Sequence, residues 1–219
     1  MSLKMNTFLM LFLVSFTIFP QSNNLKSVFV SAHSGIFFTS IEDFDKTYDS
    51  NIGLVYGLGI GLPLSTRSYI YGKATLFSKS GAISVPNYAV VNGELVYVFD
   101  TREGSANFTQ FIINGGFLYN LFLNKDWTLG LNGGLTYSIV SDEQKNGTGT
   151  IVLSVEGSGI FGFFVGAVLE KNFDQSPISI FFEPQFNFMR SDVLNYTKNY
   201  GGINLNLGAR YYFDERRLE

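Results

Sequence analysis

The sequence predicts an all-β fold, a closed, up-and-down antiparallel transmembrane β-barrel of eight strands. Three observations support it: segments of about ten to thirteen residues that alternate apolar and polar side chains, few charged residues, and links that alternate between short and long. Successive side chains of a strand point to opposite faces, so this alternation gives each strand one apolar and one polar face. The segments are longer than the usual strands of soluble sheets and match a tilted crossing of a bilayer.

Composition excludes several classes of function. Only 15% of the 219 residues are charged, whereas soluble domains carry about a quarter. A net charge of −3 offers no basic surface, so nucleic-acid binding is not expected. The chain has no cysteine and a single histidine, which leaves almost no ligands for a metal site. We therefore expect neither a metal nor another cofactor.

The first residues resemble an export sequence. Lys4 precedes an apolar run at 8–19, which Pro20 closes. This run is too short to span a bilayer comfortably as a helix, and its layout is typical of a secretory signal peptide. We predict a signal peptide over residues 1–22; an anchor that is never removed is the alternative.

The strands follow from the alternation. In residues 52–64 the even positions are apolar and the odd ones are mostly glycine, and residues 127–139 and 178–188 alternate as clearly. The C-terminal stretch at 201–213 also has one apolar and one polar face. Weaker alternation marks four more segments, which brings the number of predicted strands to eight: 28–38, 69–77, 111–123 and 161–173.

The connections predict the topology. Short turns are expected at 65–68, 124–126 and 172–177, and long polar links at 40–50, 80–107, 141–158 and 190–199. Short periplasmic turns and long outer loops are typical of outer-membrane barrels, and closure leaves no unpaired edge in lipid. The barrel is predicted over residues 27–213, with a short polar tail at 214–219. Outward aromatic residues are predicted to form two belts at the strand ends: Trp127, Phe173, Tyr211 and Phe213 near the turns, and Phe38, Tyr56, Tyr137 and Phe188 near the loops.

Charged and amide side chains occupy the inward face of the predicted strands. The ionisable ones are His33, Lys73, Glu170, Glu183 and Arg210. The amides are Asn114, Asn120, Asn132, Asn187, Asn204 and Asn206. So narrow a barrel is filled by its own side chains, so these groups should neutralise one another, and Glu183 with Arg210 on the neighbouring strand is the expected pair. We interpret the network as a plug that holds the barrel in register; a charged gate or ion path is the alternative.

Catalytic chemistry has one candidate pair, Ser31 and His33, which share the inward face of the first strand. Because His33 lies mid-strand, away from the rim, a hydrogen-bonded interior histidine is the preferred interpretation, and no enzyme is expected. The first long link carries an acidic cluster without the spacing of an EF-hand, which we expect to be solvated: Glu42, Asp43, Asp45 and Asp49.

The second long link predicts a hairpin. Residues 88–99 alternate around Asn92 and Gly93, a favoured pair for a tight turn. We expect this hairpin to extend the third and fourth strands above the membrane, where it either caps the barrel or pairs with a partner strand. A barrel of ten strands, with the hairpin inserted in the membrane, is the alternative.

Two segments of the sequence resemble those of a known group. The unit at residues 52–81 and the final strand, with Leu205, Leu207, Ala209, Tyr211 and Phe213, resemble the eight-stranded outer-membrane barrels. That group includes OmpX, the OmpA transmembrane domain and OmpW-like proteins, and the likeness is strongest to PorT-like proteins of Bacteroidetes. The resemblance covers about residues 27–213. Many members end on the final aromatic residue, whereas this chain continues with DERRLE.

The resemblance implies a location and a set of partners. It implies a bacterial outer-membrane protein that contacts lipid and lipopolysaccharide, and whose five named residues of the final strand form a C-terminal signal for the barrel-assembly machinery. We expect a non-catalytic role in envelope structure and surface-loop binding, or as an accessory to an envelope or secretion complex, with an extracellular or envelope protein as partner. A small pore or hydrophobic-solute conduit is the alternative, because one architecture serves several activities.

Overall fold

A computed structural model describes residues 27–91, 94–146, 150–174, 176–193 and 196–213. The predicted signal peptide at 1–22, the tail at 214–219 and the turn residues Asn92 and Gly93 lie outside the described residues. Within the described part, no helix is both long and apolar enough to cross a membrane.

The described chain forms nine strands and one short helix, α1, at Phe44–Tyr48. The strands are β1 (Phe29–Thr39), β2 (Ile52–Pro63), β3 (Ser68–Val91), β4 (Glu94–Leu123), β5 (Trp127–Lys145), β6 (Ile151–Asn172), β7 (Ile178–Val193), β8 (Tyr196–Asn199) and β9 (Gly202–Tyr212).

Eight of these strands close into an antiparallel barrel, which confirms the predicted fold class. Each strand from β1 to β7 pairs with the next one, β7 then pairs with β9, and β9 pairs with β1. Within the described part of the chain, the short strand β8 pairs with the outer end of β7 and with no other strand. The alternative of ten strands is wrong, because the hairpin is a continuation of β3 and β4, whose pairing runs from Ser68↔Tyr119 to Val91↔Glu94 with one register shift after Pro86.

The strands differ from the prediction at the loop end. Strands β3, β4, β5, β6 and β7 all extend beyond their predicted ends into segments that were expected to be polar links. Above the membrane a strand does not need an apolar face toward lipid. Its backbone therefore continues to pair with the neighbouring strand where the alternation of apolar and polar side chains ends. Helix α1 and strand β8 lie inside the predicted links 40–50 and 190–199, where the sequence pattern indicated neither a helix nor a strand.

The outer face of the barrel is apolar. Leu58, Leu135 and Phe161 are among its most exposed side chains, at 67%, 73% and 75%. Near the short turns, Trp127, Phe173, Tyr211 and Phe213 are exposed, and Phe38 and Tyr56 are exposed near the loops. Tyr137 and Phe188 are half-buried against neighbouring rings. Exposing so large an apolar surface to water is unfavourable, whereas the hydrocarbon of a bilayer solvates it well. The barrel therefore spans a membrane.

Two apolar layers fill the two ends of the barrel interior. The turn-side layer consists of Phe29, Tyr69, Tyr71, Leu118, Phe164, Val168, Phe181 and Tyr212. The loop-side layer consists of Phe37, Phe44, Tyr48, Val55, Phe77, Ala106, Phe108, Ile112, Val140, Ile160, Met189 and Tyr200. Helix α1 contributes Phe44 and Tyr48 to the loop-side layer and so folds over the outer end of the barrel.

Candidate functional site

An ion pair crosses the centre of the barrel. Lys73 Nζ lies 2.7 Å from Glu183 Oε1, and both side chains are buried. Tyr71 donates its hydroxyl to the same carboxylate at 3.1–3.2 Å, and Asn132 Nδ2 donates to Oε1 at 2.9 Å. Lys73 also donates to Gln185 Oε1. The buried carboxylate therefore has a counter-ion and two further donors, as a charge in a dry interior requires.

A second buried pair lies closer to the short turns. Arg210 Nη1 donates to Glu170 Oε2 at 2.6 Å, and Glu170 Oε1 accepts from Ser179 Oγ and Tyr212 Oη, each at 2.5 Å. The Arg210 guanidinium also lies between the rings of Phe29 and Phe181, at 4.5 Å and 4.6 Å from their centroids. Cation–π contacts on both faces suit a planar guanidinium in an apolar layer.

The expected pairing of Glu183 with Arg210 is wrong. These residues do lie on neighbouring strands, but the register places Asn206 opposite Glu183 and Ser179 opposite Arg210. A stagger of four residues separates the two charges by about 13 Å along the strand. Each residue therefore pairs with a charge on another strand.

His33 faces the interior and bonds across the barrel wall. Its Nε2 lies 3.2 Å from Thr75 Oγ1, and the side chain is buried. The facing residue on β2 is Gly57, where an added Cβ would lie 2.2 Å from the backbone oxygen of Ala74 and 2.5 Å from His33 Cε1. Glycine at this position leaves room for the imidazole ring. A histidine enclosed in this way is out of reach of a lipid substrate at the rim.

The six inward asparagines are all buried, as are the two ion pairs and His33: Asn114, Asn120, Asn132, Asn187, Asn204 and Asn206. The central pair lies between the two apolar layers, whereas the pair of Arg210 and Glu170 contacts Phe29, Phe181 and Tyr212 of the turn-side layer. In each pair one basic and one acidic side chain neutralise each other.

Helix α1 is anchored at the outer mouth. Tyr48 donates its hydroxyl to Asp142 Oδ1 on β5 at 2.6 Å. Its ring stacks on Phe44 at 4.3 Å, and Phe44 meets Phe108 edge-on at 5.0 Å. Burial, together with the bond to Asp142, raises the pKa of Tyr48 well above its usual value. The hydroxyl therefore stays protonated and keeps donating.

A cavity of about 270 Å³ lies beside this helix at the outer mouth. Phe44, Tyr48 and Phe108 line its apolar side, and Glu42 and Asp142 contribute carboxylates. The four acidic residues of the first long link are exposed, as the sequence predicted: Glu42, Asp43, Asp45 and Asp49. Asp43 also lines the cavity and forms an ion pair with Lys46 at 2.8 Å. Among the described residues, no group of three or more His, Cys, Asp or Glu could hold a metal ion.

The residues of the proposed C-terminal signal lie on the outer face of β9 or directly after it. Leu207, Ala209, Tyr211 and Phe213 are exposed there, and Leu205 is half-buried. The inward residues of the same strand include Arg210 and Asn206. The final strand therefore presents its apolar side to lipid and its polar side to the interior network.

Above the barrel, β3 and β4 continue as a two-stranded ribbon. Pairing of β2 with β3 ends at Phe77, and pairing of β4 with β5 ends at Ser105. Among the described residues, 84–91 and 94–103 therefore pair only with each other. A register shift follows Pro86 on β3, whereas the β4 side of the ribbon contains no proline.

Several residues of the interior and the mouth were missed. Tyr71 lies two positions from Lys73, so the same alternation could have placed it inside. Phe44 and Tyr48 are four residues apart, a helical spacing that could have indicated α1. Nothing in the local sequence linked Tyr48 to Asp142, because that contact depends on the closure of the barrel.

No protein-family model matches the chain, and no curated protein matches its sequence. Solved structures do match. The neisserial surface protein NspA aligns with a TM-score of 0.50 and 13% identity, over 86% of this chain and 99% of that one. The N-terminal β-barrel domain of Pseudomonas aeruginosa OprF aligns with a TM-score of 0.46 and 12% identity, over the same shares of 86% and 99%.

A third match is Ail, the attachment invasion locus protein of Yersinia pestis, in complex with the heparin analogue sucrose octasulfate. It has a TM-score of 0.45 and 12% identity, over 86% of this chain and 99% of Ail. At this identity the likeness to NspA shows a shared fold and says nothing of activity.

Proposed function

This chain has the fold of the eight-stranded outer-membrane β-barrels, and on that premise we propose that it lies in the bacterial outer membrane as a non-catalytic protein of envelope structure and surface binding. It acts through its outer loops, alone or as an accessory to an envelope complex. The observation that carries this proposal is the interior, where the ion pair of Lys73 and Glu183 lies between two apolar layers and a second buried ion pair lies against the turn-side layer.

The same interior argues against the alternative of a small pore. A hydrated ion would have to pass the turn-side layer, the pair of Lys73 and Glu183, and the loop-side layer with α1 above it. Separating a buried ion pair leaves an uncompensated charge that costs several kcal/mol. Side chains that fill the barrel in this way are a structural element that fixes the cross-section.

The ribbon is the best-placed surface for a partner. Residues 84–91 give the ribbon a length of about 25 Å beyond the barrel, because each residue of a strand adds about 3.3 Å. Within the ribbon, β3 carries a proline and a register shift after it, whereas β4 has no proline, so we propose the free edge of β4 as the edge that accepts an added strand. We propose an extracellular or envelope protein with an exposed strand as the partner.

Assembly and lipid contacts complete the proposal. The exposed residues Leu207, Tyr211 and Phe213 on the final strand are proposed to be read by the barrel-assembly machinery. Lipopolysaccharide is proposed to surround the outer half of the barrel. Replacing Phe213 with Ala should lower the fraction of chain assembled in the outer membrane; an unchanged fraction would remove this residue from the assembly signal.

Conductance tests the closed interior. Residues 23–219 are refolded, their folded state is verified by heat-dependent mobility on a gel, and the barrels are inserted in planar bilayers. We expect a folded barrel without discrete current steps. Reproducible single-channel openings would overturn the proposal in favour of the pore and would direct mutagenesis to Lys73, Glu183 and Arg210.

Crosslinking in the native envelope tests the binding surface. Cells with the full chain are compared with cells whose chain has residues 84–103 replaced by a two-residue turn. We expect a crosslinked complex in cells that carry the full chain and no such complex in cells that carry the trimmed chain. The two kinds of cell should contain equal amounts of folded barrel. A complex that persists after trimming would exclude the ribbon as the contact.

A further inference from the structure

We propose that the cavity at the outer mouth binds a small organic cation, a primary ammonium group carried on an apolar body. The inference concerns a second surface of the molecule and is independent of the ribbon. Its basis is the combination of a cavity that is partly open to solvent, a half-buried carboxylate without an ion-pair partner among the described residues, and an aromatic wall.

The space is of the right kind for a small ligand. Its volume of about 270 Å³ lies just below the range of about 300–1,000 Å³ that is typical of small-molecule sites, so it suits a ligand smaller than a drug-sized molecule. Helix α1 forms one side of it and strands β4 and β5 form another, through Phe44, Tyr48, Phe108 and Asp142. A ligand there would be held between the helix and the barrel wall.

Asp142 supplies the negative charge. It is half-buried, and its Oδ1 accepts the Tyr48 hydroxyl at 2.6 Å. Among the described residues, no lysine or arginine forms an ion pair with it, in contrast to the carboxylates deeper in the barrel. A partly desolvated carboxylate without a counter-ion favours a cation that enters the cavity.

The other charged side chains at the cavity also favour a positively charged ligand. Asp43 is already paired with Lys46, whereas Glu42 also lines the cavity and forms no ion pair within the described part of the chain. Lys198 is the basic residue among the described lining residues. Two carboxylates, Glu42 and Asp142, therefore outweigh one ammonium.

The aromatic wall selects the rest of the ligand. Phe44 and Tyr48 stack at 4.3 Å, and Tyr48 meets Phe108 at 5.9 Å, so their rings form one continuous apolar surface. Ring faces attract ammonium groups and pack against hydrocarbon or aromatic bodies. A ligand with an amine at one end and an apolar group at the other satisfies both sides of the cavity.

The test uses 2-phenylethylammonium as probe and 2-phenylethanol as its neutral counterpart. Refolded residues 23–219 in phosphatidylcholine nanodiscs are titrated by calorimetry, with empty nanodiscs as the blank. We expect saturable binding of the ammonium probe and binding of the alcohol weaker by about tenfold or more, because the alcohol lacks the charge.

Variants locate the site. Asp142→Asn keeps an acceptor for Tyr48 and should weaken probe binding by about tenfold, and Glu42→Gln, at an exposed position, by about threefold. Glu143→Gln is the matched control, because Glu143 is the next residue on β5, does not line the cavity and pairs with Lys145 at 2.5 Å. It should leave the affinity unchanged.

Three results would overturn the inference. They are the absence of saturable binding to the wild-type chain, equal affinity for the ammonium and the alcohol, and an equal loss of affinity in Glu143→Gln and Asp142→Asn. If Asp142→Asn fails to fold, Glu42→Gln decides: an affinity equal to that of the wild type would overturn the inference. None of these results bears on conductance or on the ribbon, so the proposed function is tested separately.

Discussion

Lys73 on β3 and Glu183 on β7 form a 2.7 Å ion pair across the full width of the barrel. Going round the barrel from β3, four strand steps lead to β7 in either direction, so the two residues lie on opposite walls. Tyr71, also on β3, donates to the same carboxylate. The pair thus joins opposite walls of the closed barrel, and we propose that it helps to hold them in register.

Glu183→Gln should destabilise the barrel without opening it. The substitution leaves the Lys73 ammonium buried without a counter-ion, which should lower the free energy of unfolding by about 3–5 kcal/mol. Urea unfolding in detergent micelles, followed by heat-dependent gel mobility, measures this loss. Planar bilayers with the variant should stay silent; discrete current steps would show that the pair is a gate.

Two further variants isolate the contribution of the buried ion pair to the free energy of unfolding. Glu143→Gln removes a carboxylate whose ion pair with Lys145 is partly exposed, and it should cost less than about 1 kcal/mol. The double variant Lys73→Met with Glu183→Leu removes both charges and should recover most of the lost stability. A double variant no more stable than Glu183→Gln would contradict the ion-pair explanation.

Gly57→Ala should lower the free energy of unfolding, whereas Gly115→Ala should not. An added Cβ at Gly57 would lie 2.2 Å from the Ala74 carbonyl oxygen, whereas at Gly115 no atom lies within 4 Å of it. Overpacking at Gly57 should cost about 1–3 kcal/mol. Gly115→Ala should be neutral or stabilising by about 0.5–1 kcal/mol, because alanine restricts the unfolded chain. Urea midpoints measure both; equal midpoints would refute the crowding at Gly57.

Tyr48 makes the anchoring of α1 depend on pH in the alkaline range. Burial and the bond to Asp142 raise its pKa in the folded chain above the value of about 10 in the unfolded chain. Its contribution to stability is therefore fully present below about pH 10 and is lost as the pH rises through the folded pKa. The bond itself should contribute about 1.5–3 kcal/mol at neutral pH, because its acceptor is charged.

The measurement for Tyr48 is the difference in unfolding free energy between the wild type and Tyr48→Phe, from pH 7 to 12. The phenylalanine keeps the stacking on Phe44, and the other tyrosines cancel in the difference. We expect a constant difference up to about pH 10 and a decrease above it. A difference that is independent of pH throughout would exclude the hydroxyl as the anchor.

The membrane-spanning part of the fold could be predicted from the sequence because lipid imposes a strict alternation. On β2, Leu54, Leu58 and Ile60 alternate with glycines, and the structure exposes these three side chains to lipid. Above the membrane this constraint ends, so the sequence predicted polar links where the outer halves of β3 and β4 lie. Their pairing depends on cross-strand partners far apart in sequence, such as Gly81 and Ala106.

Which inward residues pair with each other could not be predicted in the same way. Alternation places Lys73, Glu170, Glu183 and Arg210 on the inner face, but pairing depends on register and on which walls face each other. A stagger of four residues separates Glu183 from Arg210, and only closure brings Lys73 to Glu183. The cavity at the mouth was unpredictable for the same reason, since α1 and β5 meet only in the closed barrel.

Trimming the ribbon should leave the barrel intact. Residues 84–91 and 94–103 pair only with each other among the described residues, so replacing 84–103 by a two-residue turn removes no contact between barrel strands. The midpoint of urea unfolding should therefore stay the same, while brief protease treatment of whole cells should cut the full chain within the ribbon and spare the trimmed one. A marked loss of stability on trimming would show that the ribbon folds back on the barrel as a cap, and its free edge would then be unavailable to a partner. Equal stability together with cleavage at the ribbon would establish a rigid barrel that carries an exposed strand edge above the cell surface.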